Sequence, residues 1–442
     1  MFTKEDLKRL MLPLIVEQFL AVTIGMADTV MVSSVGEAAV SAVSLVDSIN
    51  ILLINIFSAL ATGGAIVTSQ YLGRQDEENA NRAAKQLIFI VAALGAVLAG
   101  LCLLGNGQIL RALFGQTEQR VMTSCEIYFF WTALSYPFIA VYNAGAALFR
   151  SMGNSRISMR TSIIMNGVNI VGNAVGIFVL KWGVAGAAVP TLISRALGAV
   201  MMVALLRFHP GRIRLDHLRG FHFEGQMVKN ILGLGIPSGL ENGMFQVGKI
   251  LVQRLITSFG TVAIAAAAVT NTVCMLPQIP AMAIGLGMVT VVGQCVGAGE
   301  YDEAARYTKQ LTFLSNIPMV ILCIALFAAR GPVVALFGLS AETAAVAKQL
   351  IATYCVAGMF FWPLSFVFPN GLRAAGDVKY TMAVSVVSMW VFRIGFSYIL
   401  AQFMGLGVLG VWLAMYIDWV VRLLFFLLRF ASGKWRKVKA IS

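Results

Sequence analysis

A chain of 442 residues with 59% apolar and only 12% charged side chains is not a set of water-soluble domains, in which about a quarter of residues are charged. Its formal charge of +13 does not indicate nucleic acid either. The cations lie in short segments between apolar runs, mostly in every second one, which is the pattern that sets membrane topology.

The chain begins with a charged segment, residues 1–10, and no cleavable leader is apparent; the first span is expected to act as its own insertion signal. Apolar runs long enough to cross a bilayer, about 20 residues, then follow at 10–34, 40–70, 87–113, 121–148, 161–181 and 184–207. They continue at 230–259, 262–293, 310–336, 347–372, 380–404 and 408–430. Runs longer than about 25 residues must tilt, kink or extend past the membrane. Of the 33 Lys and Arg, 23 fall on one face, from Lys4, Lys8 and Arg9 to Lys437 and Lys439. Only 5 fall on the other (Arg111, Arg120, Lys181, Arg330, Lys348), and 5 lie inside spans (Arg195, Lys249, Arg254, Arg393, Arg422). This bias predicts a multi-pass protein of the cell membrane with both termini in the cytoplasm. It divides the chain into an N-terminal lobe at 1–207, a cytoplasmic linker at 208–229 and a C-terminal lobe at 230–442.

The lobes repeat. At an offset of 224 residues Pro13 meets Pro237, Glu17 meets Glu241, Gly36 meets Gly260, and Asp47 meets Asn271. Gln70, Gly73, Arg82, Lys85 and Gln86 meet Gln294, Gly297, Arg306, Lys309 and Gln310. Further on the offset drifts by one or two, so that Arg150 and Gly153 face Arg373 and Gly376. Chance does not place polar matches at constant register in apolar sequence. Six spans per half is an even number, so both halves point the same way. Transporters built as such parallel repeats bind substrate near the midplane between the halves and alternate access to it.

No phosphate-binding loop of the form Gly-x4-Gly-Lys-Ser/Thr is present, nor His-Glu-x-x-His or Cys-x-x-Cys. The expectation is therefore a carrier that is not an enzyme and holds no metal or other cofactor, with a proton or sodium ion as its coupling ion. Cys102, Cys125, Cys274, Cys295, Cys323 and Cys355 all lie in or beside apolar spans and read as small apolar fillers. His209, His217 and His222 sit in the central linker and read as interfacial.

Several motifs carry a resemblance. Span one reads Pro13-x3-Glu17-x10-Asp28-Thr29-x-Met31, and span two ends Gln70-Tyr71-Leu72-Gly73. Span four ends Phe149-Arg150-Ser151-Met152-Gly153-Asn154. Span five carries Asn169-x3-Asn173, and Gly183-Val184-Ala185-Gly186 follows. With the duplicated six-span architecture, the chain resembles the multidrug and toxic compound extrusion family over essentially its whole length. The resemblance implies an all-α membrane protein whose twelve helices form a V-shaped pair of lobes around a central cavity. It implies export of bulky, often cationic organic compounds, driven by inward movement of H+ or Na+. Expected partners are a small organic substrate, the ion and membrane lipid, with no nucleic acid, and the chain is expected to be a monomer.

An ionised side chain at mid-membrane costs roughly 2.5–3.5 kcal/mol on insertion scales, so each should be paired, face a cavity or be functional. By the resemblance, Asp28 is the cation-coupling residue of the N-terminal lobe, and Asn169, Asn173 and Thr191 fall on positions that surround it. The competing reading is a buried Asp that only braces helix packing. A second Asp of one branch is Asn173 here. Glu17 and Glu241 are repeat mates. Glu17 is three helical turns from Asp28 and can face the same cavity. By the resemblance, span seven carries a cation- or substrate-binding Glu one turn beyond Glu241, where Phe245 and Gln246 stand. An ion pair with Lys249 or with an arginine of a neighbouring helix is the other reading of Glu241. Asp47 shares a polar stripe with Ser44, Ser48, Asn50 and Asn55, facing either the cavity or span one. Asp418 and Arg422 are spaced for an intrahelical ion pair that Arg393 can share, and contact of Asp418 with substrate is the alternative. Pro277 and Pro280 mark either a hinge or a fixed bend in span eight. Two other functions compete with ion-coupled export: a flippase for lipid-linked saccharides, a related class with about fourteen spans, and a membrane scaffold without transport.

Overall fold

The computed structural model describes residues 2–115, 118–209, 211–215 and 222–441. His217 and Arg219 lie outside the described residues. The described residues form no strand; helices fill nearly the whole chain. A backbone in lipid has no water to bond, and a helix satisfies every interior N–H and C=O within itself.

The described residues form twelve helical spans, ten of which are long and apolar enough by length and composition to cross a membrane. In the N-terminal half they are Lys4–Ser33, Glu37–Gly73, Glu77–Leu104, a fourth built from Gln119–Leu134 and Tyr136–Ser151, Ser155–Val179 and Ala185–Phe208. In the C-terminal half they are Gly225–Thr257, Thr261–Gly297, Tyr301–Ala335, Ala341–Ala374, Val378–Phe403 and Gly407–Ala431. Two boundaries differ from the apolar pattern. The run at 87–113 is not one helix: span three stops at Leu104, and Asn106–Phe114 forms a separate short helix. The Gly105-Asn106-Gly107 sequence breaks it, since glycine and asparagine are poor helix formers. Span four breaks at Ser135, whose hydroxyl donates to the Thr132 carbonyl, just before Pro137.

Helix starts are specified locally. Thr3 and Asp6 form a reciprocal capping box at span one. The Asp76 carboxylate caps span three by accepting from the Asn79 backbone and side chain at 3.0 and 2.7 Å. These two donors hold the Asp76 carboxyl below the usual carboxylate range.

The repeat seen in sequence is a repeat of structure. Spans two and eight are both 37 residues long and begin at Glu37 and Thr261, 224 residues apart. Each follows a glycine with positive φ, Gly36 (133°) and Gly260 (91°), a turn geometry that a Cβ would strain. Spans five and eleven both end in a π-helical turn, Val175–Val179 and Ile399–Phe403, again 224 apart. The following helices approach them closely at Gly186 and Gly410. A Cβ on either would meet opposing backbone within 2.6 or 2.7 Å, as expected where small residues let membrane helices pack. Span eight carries Pro277 and Pro280 within one continuous helix.

By internal contact the chain divides into two units, Phe2–Gly239 and Leu240–Ser442. The division falls inside span seven. Its first turns belong to the first unit because Gly63 and Gly235 let spans two and seven approach at the backbone: a Cβ on Gly63 would stand 2.6 Å from the Gly235 nitrogen.

Candidate functional site

In the N-terminal unit, spans one, five and six bring Asp28, Asn169, Asn173 and Thr191 together. Asn173 Nδ2 donates to Asp28 Oδ1 at 2.9 Å. The Asn169 amide lies 3.1 Å from Thr191 Oγ1 and can take either of two orientations. In one, its nitrogen donates to the Thr191 hydroxyl, which itself donates to the Ala187 carbonyl at 2.8 Å. In the other, its oxygen accepts from that hydroxyl and its nitrogen donates to both Asp28 oxygens at 3.2 Å. A hydroxyl has one proton, so the two orientations exclude each other. Asn173 Oδ1 is buried and accepts no hydrogen bond. Asp28 itself is half-buried.

Asp47 lies beside this cluster on span two. It accepts from Asn50 Nδ2 at 3.0 Å and from the Tyr128 hydroxyl at 3.4 Å. Arg195, one of the five cations inside spans, donates to Ser135 Oγ at 2.7 Å and sits in the field of both Asp47 and Asp28. The break at Ser135 has a role here, because it presents the hydroxyl that Arg195 holds.

Glu17 is buried away from water. It accepts from Ser158 Oγ at 2.9 and 3.1 Å, and Arg150 acts on it electrostatically. Its repeat mate Glu241 is also buried and is ion-paired with Arg373, the repeat mate of Arg150. Arg373 also donates to Asn370 Oδ1 at 2.8 Å. Of the two partners the sequence allowed, Lys249 or an arginine of a neighbouring helix, the structure has the arginine, which sequence had not identified as Arg373 although Glu and Arg recur together in both halves.

In the C-terminal unit Asp418 has no exposed surface. It accepts from Arg422 Nε at 2.9 Å and from the Ser388 hydroxyl, and Arg393 Nη1 stands 3.8 Å from its other oxygen. Ser388 and Arg393 belong to a π-helical stretch of span eleven, Ser388–Gly395, whose wider turn advances the register of the side chains. A cavity of about 580 Å³ opens within this unit. Gln246 and Arg393 line it, whereas Glu241 and Asp418 do not. Its cations are Lys249 and Arg393, and its neutral polar groups include Gln253, Asn271 and Gln278, which donates to the Tyr354 hydroxyl at 2.7 Å. Aromatic rings make up much of the remaining wall: Phe245, Tyr354, Trp362, Phe366, Trp412 and Trp419. They brace one another edge to face, as at Tyr354–Trp419 (5.8 Å) and Phe366–Trp419 (6.1 Å).

All six cysteines are buried and free. Among the described residues no three His, Cys, Asp or Glu side chains come together.

Comparison with known proteins gives the same picture. The MatE family model matches twice, at residues 13–175 and 237–399, which are again 224 apart. "Uncharacterized transporter YisQ" of Bacillus subtilis is 28% identical over 96% of this chain and 93% of its own length. "Probable multidrug resistance protein NorM" of Thermotoga maritima is 25% identical over 98% of this chain and 93% of its own. Among solved structures, "Crystal structure of MATE in the bent conformation" superposes with a TM-score of 0.91 at 20% identity, covering 98% of this chain and 96% of that one. The protein is therefore a multi-pass membrane protein that belongs to the MatE family, the multidrug and toxic compound extrusion transporters.

Proposed function

We propose that the protein is a secondary antiporter that exports small organic compounds while protons or sodium ions run inward, with Asp28 as the coupling residue. The observation that carries this reading is the Asp28 network. A carboxylate inside a span is costly unless it is paired or functional. Among the described residues Asp28 makes no ion pair and instead meets the Asn173 amide and, in one orientation, the Asn169 amide, which is bonded in turn to the Thr191 hydroxyl.

The two orientations of Asn169 supply a mechanism. With Asp28 ionised, Asn173 and Asn169 donate to it, and Thr191 donates to the Asn169 oxygen. When Asp28 takes a proton it becomes a donor, so Asn169 turns its oxygen inward and its nitrogen toward Thr191. Sodium would be held by the same carboxylate with neutral oxygens, of which Asn173 Oδ1 accepts no hydrogen bond. Either ion removes the anion from the span and changes which helices are tied together. A parallel repeat gives that change a route to alternating access.

The relatives named for multidrug resistance support drug or metabolite export as the activity. The protein acts as a carrier rather than an enzyme, needs no cofactor beyond the coupling ion, and works as a monomer in the cell membrane with both termini in the cytoplasm. The flippase alternative came with about fourteen spans, against twelve here.

The test is efflux from proteoliposomes under an imposed pH gradient, then under a sodium gradient. The gradient that drives efflux identifies the ion. Asp28→Asn should abolish the driven component. Wild-type pumping by this variant under both gradients would show that coupling lies elsewhere.

A further inference from the structure

The C-terminal cavity occupies the place in its lobe that the Asp28 network occupies in the other, and its charge is inverted. At the 224-residue offset, Asp28 is replaced by Val252, Asp47 by Asn271, Asn169 by Arg393 and Gly25 by Lys249. All four replacements line the cavity, and no carboxylate does. Two acids have gone and two cations have come.

These cations are only partly neutralised: Arg393 shares Asp418 at 3.8 Å with Arg422. Among the described residues Lys249 has no carboxylate partner; its ammonium lies 5.2 Å from the centre of the Phe245 ring. The Phe245 ring also faces the guanidinium groups of Arg393 (5.4 Å) and Arg422 (5.3 Å). Three cations thus surround one ring, and among the described residues Asp418 is the sole acid in the group: its Oδ1 accepts from Arg422 and Ser388, and its Oδ2 stands 3.8 Å from Arg393, so the group holds three cations to one carboxylate. Excess positive charge in a low-dielectric site costs free energy unless an anion shares it. The amides of Gln246, Gln253, Asn271 and Gln278 can donate to an anion as well, and the ring wall suits a flat apolar body.

We propose that this cavity binds an organic anion with an aromatic body, its charge held between Lys249 and Arg393 and its rings against Trp412 and Trp419. The inference rests on the reading of the chain as a carrier of small organic compounds, and it names the charge class of one of them. It also gives the two lobes separate tasks: the acidic one takes the inorganic cation, the basic one the organic anion.

The test is equilibrium binding of two probes with the same ring system and opposite charge, 2-naphthoate and 2-naphthylmethylammonium. Calorimetry is done on the full chain in phosphatidylcholine nanodiscs. The expected result is at least tenfold tighter binding of 2-naphthoate. Lys249→Met should weaken it fivefold or more, and Lys249→Glu should reverse the preference. Lys249 has no ion pair to lose, so these variants test the charge and not the fold. Arg393→Gln, which leaves Asp418 bonded to Arg422, should weaken naphthoate similarly. Equal or tighter binding of the ammonium compound would overturn the proposal, as would unchanged naphthoate affinity in Lys249→Met. Displacement of naphthoate when phosphatidylglycerol replaces phosphatidylcholine would also overturn it, by giving the cavity to a lipid headgroup. Equilibrium binding needs no gradient. Preserved naphthoate preference without driven efflux would sink ion-coupled export and leave this site standing, and the opposite result would do the reverse.

Discussion

At the scale of single residues, side chains in this membrane protein are bonded in graded ways, and the grades predict different losses. Asp28 is the ion-bearing group of the proposed mechanism, while Thr191 only selects between orientations of Asn169. Thr191→Val removes the bond to Asn169, worth roughly 0.5–1.5 kcal/mol net, along with the local bond to the Ala187 carbonyl. It should therefore slow gradient-driven efflux by roughly three- to tenfold, where Asp28→Asn abolishes it; initial rates in proteoliposomes separate the two. An equal loss in both variants would make Thr191 more than an orienting group. Outside the bilayer, Asp76 gives a prediction about pH. Its carboxyl is held below the usual range by Asn79, so its cap contributes stability above the unfolded value near pH 4, and loses it as pH falls through the folded value. Asp76→Ala should cost about 1 kcal/mol at pH 7, seen as a lower melting temperature in detergent. The gap to wild type should narrow toward pH 3. Glu300, the repeat mate of Asp76, makes no cap bond, so Glu300→Ala should leave the melt unchanged at either pH.

At the scale of elements, the repeat-mate acids Glu17 and Glu241 tie their helices differently in the two lobes. Spans seven and ten are tied by Glu241 and Arg373, two buried charges in direct contact. Spans one and five are tied by Glu17 and the Ser158 hydroxyl, with Arg150 nearby. Removing one partner of a buried pair strands the other and typically costs about 3–5 kcal/mol. Arg373→Met should therefore lower the melting temperature sharply, and Glu241→Gln added to it should restore most of the loss. Arg150→Met should cost less, because Ser158 still donates to Glu17. These ties show what the sequence could and could not convey. The spans and their duplication were legible because an apolar run and a constant offset are one-dimensional patterns. Glu241 was legible as a buried acid, but its partner lies 132 positions away, and no periodicity reports such a contact. The joint recurrence of Glu and Arg in both halves was the available signal. The break at Gly105 was hidden for a different reason: a short helix lying beyond a span is apolar too, so hydropathy alone runs through it.

For the whole molecule, the distribution of cations makes a claim about the bilayer that the helices by themselves do not. Twelve spans return the chain to the face on which it began. From the bias of 23 Lys and Arg to 5 we propose that this face is the cytoplasmic one. The six native cysteines are buried, so the wild-type chain should react little with a membrane-impermeant maleimide and provides a quiet background for labelling. Single cysteines at Lys8 and Lys437, one before span one and one after span twelve, should then label in inside-out vesicles and stay unlabelled in right-side-out ones. A cysteine at Lys181, between spans five and six, should do the reverse. Lys8 and Lys437 labelling on opposite faces would require an odd number of crossings. The two lobes would then be antiparallel, and equivalent positions such as Asp28 and Val252 would face opposite sides of the membrane. The inverted charge of the C-terminal cavity could not then be read as a counterpart of the Asp28 network. With both termini on the cytoplasmic side the lobes share one polarity. The comparison of Asp28 with Val252 as repeat counterparts then holds position by position.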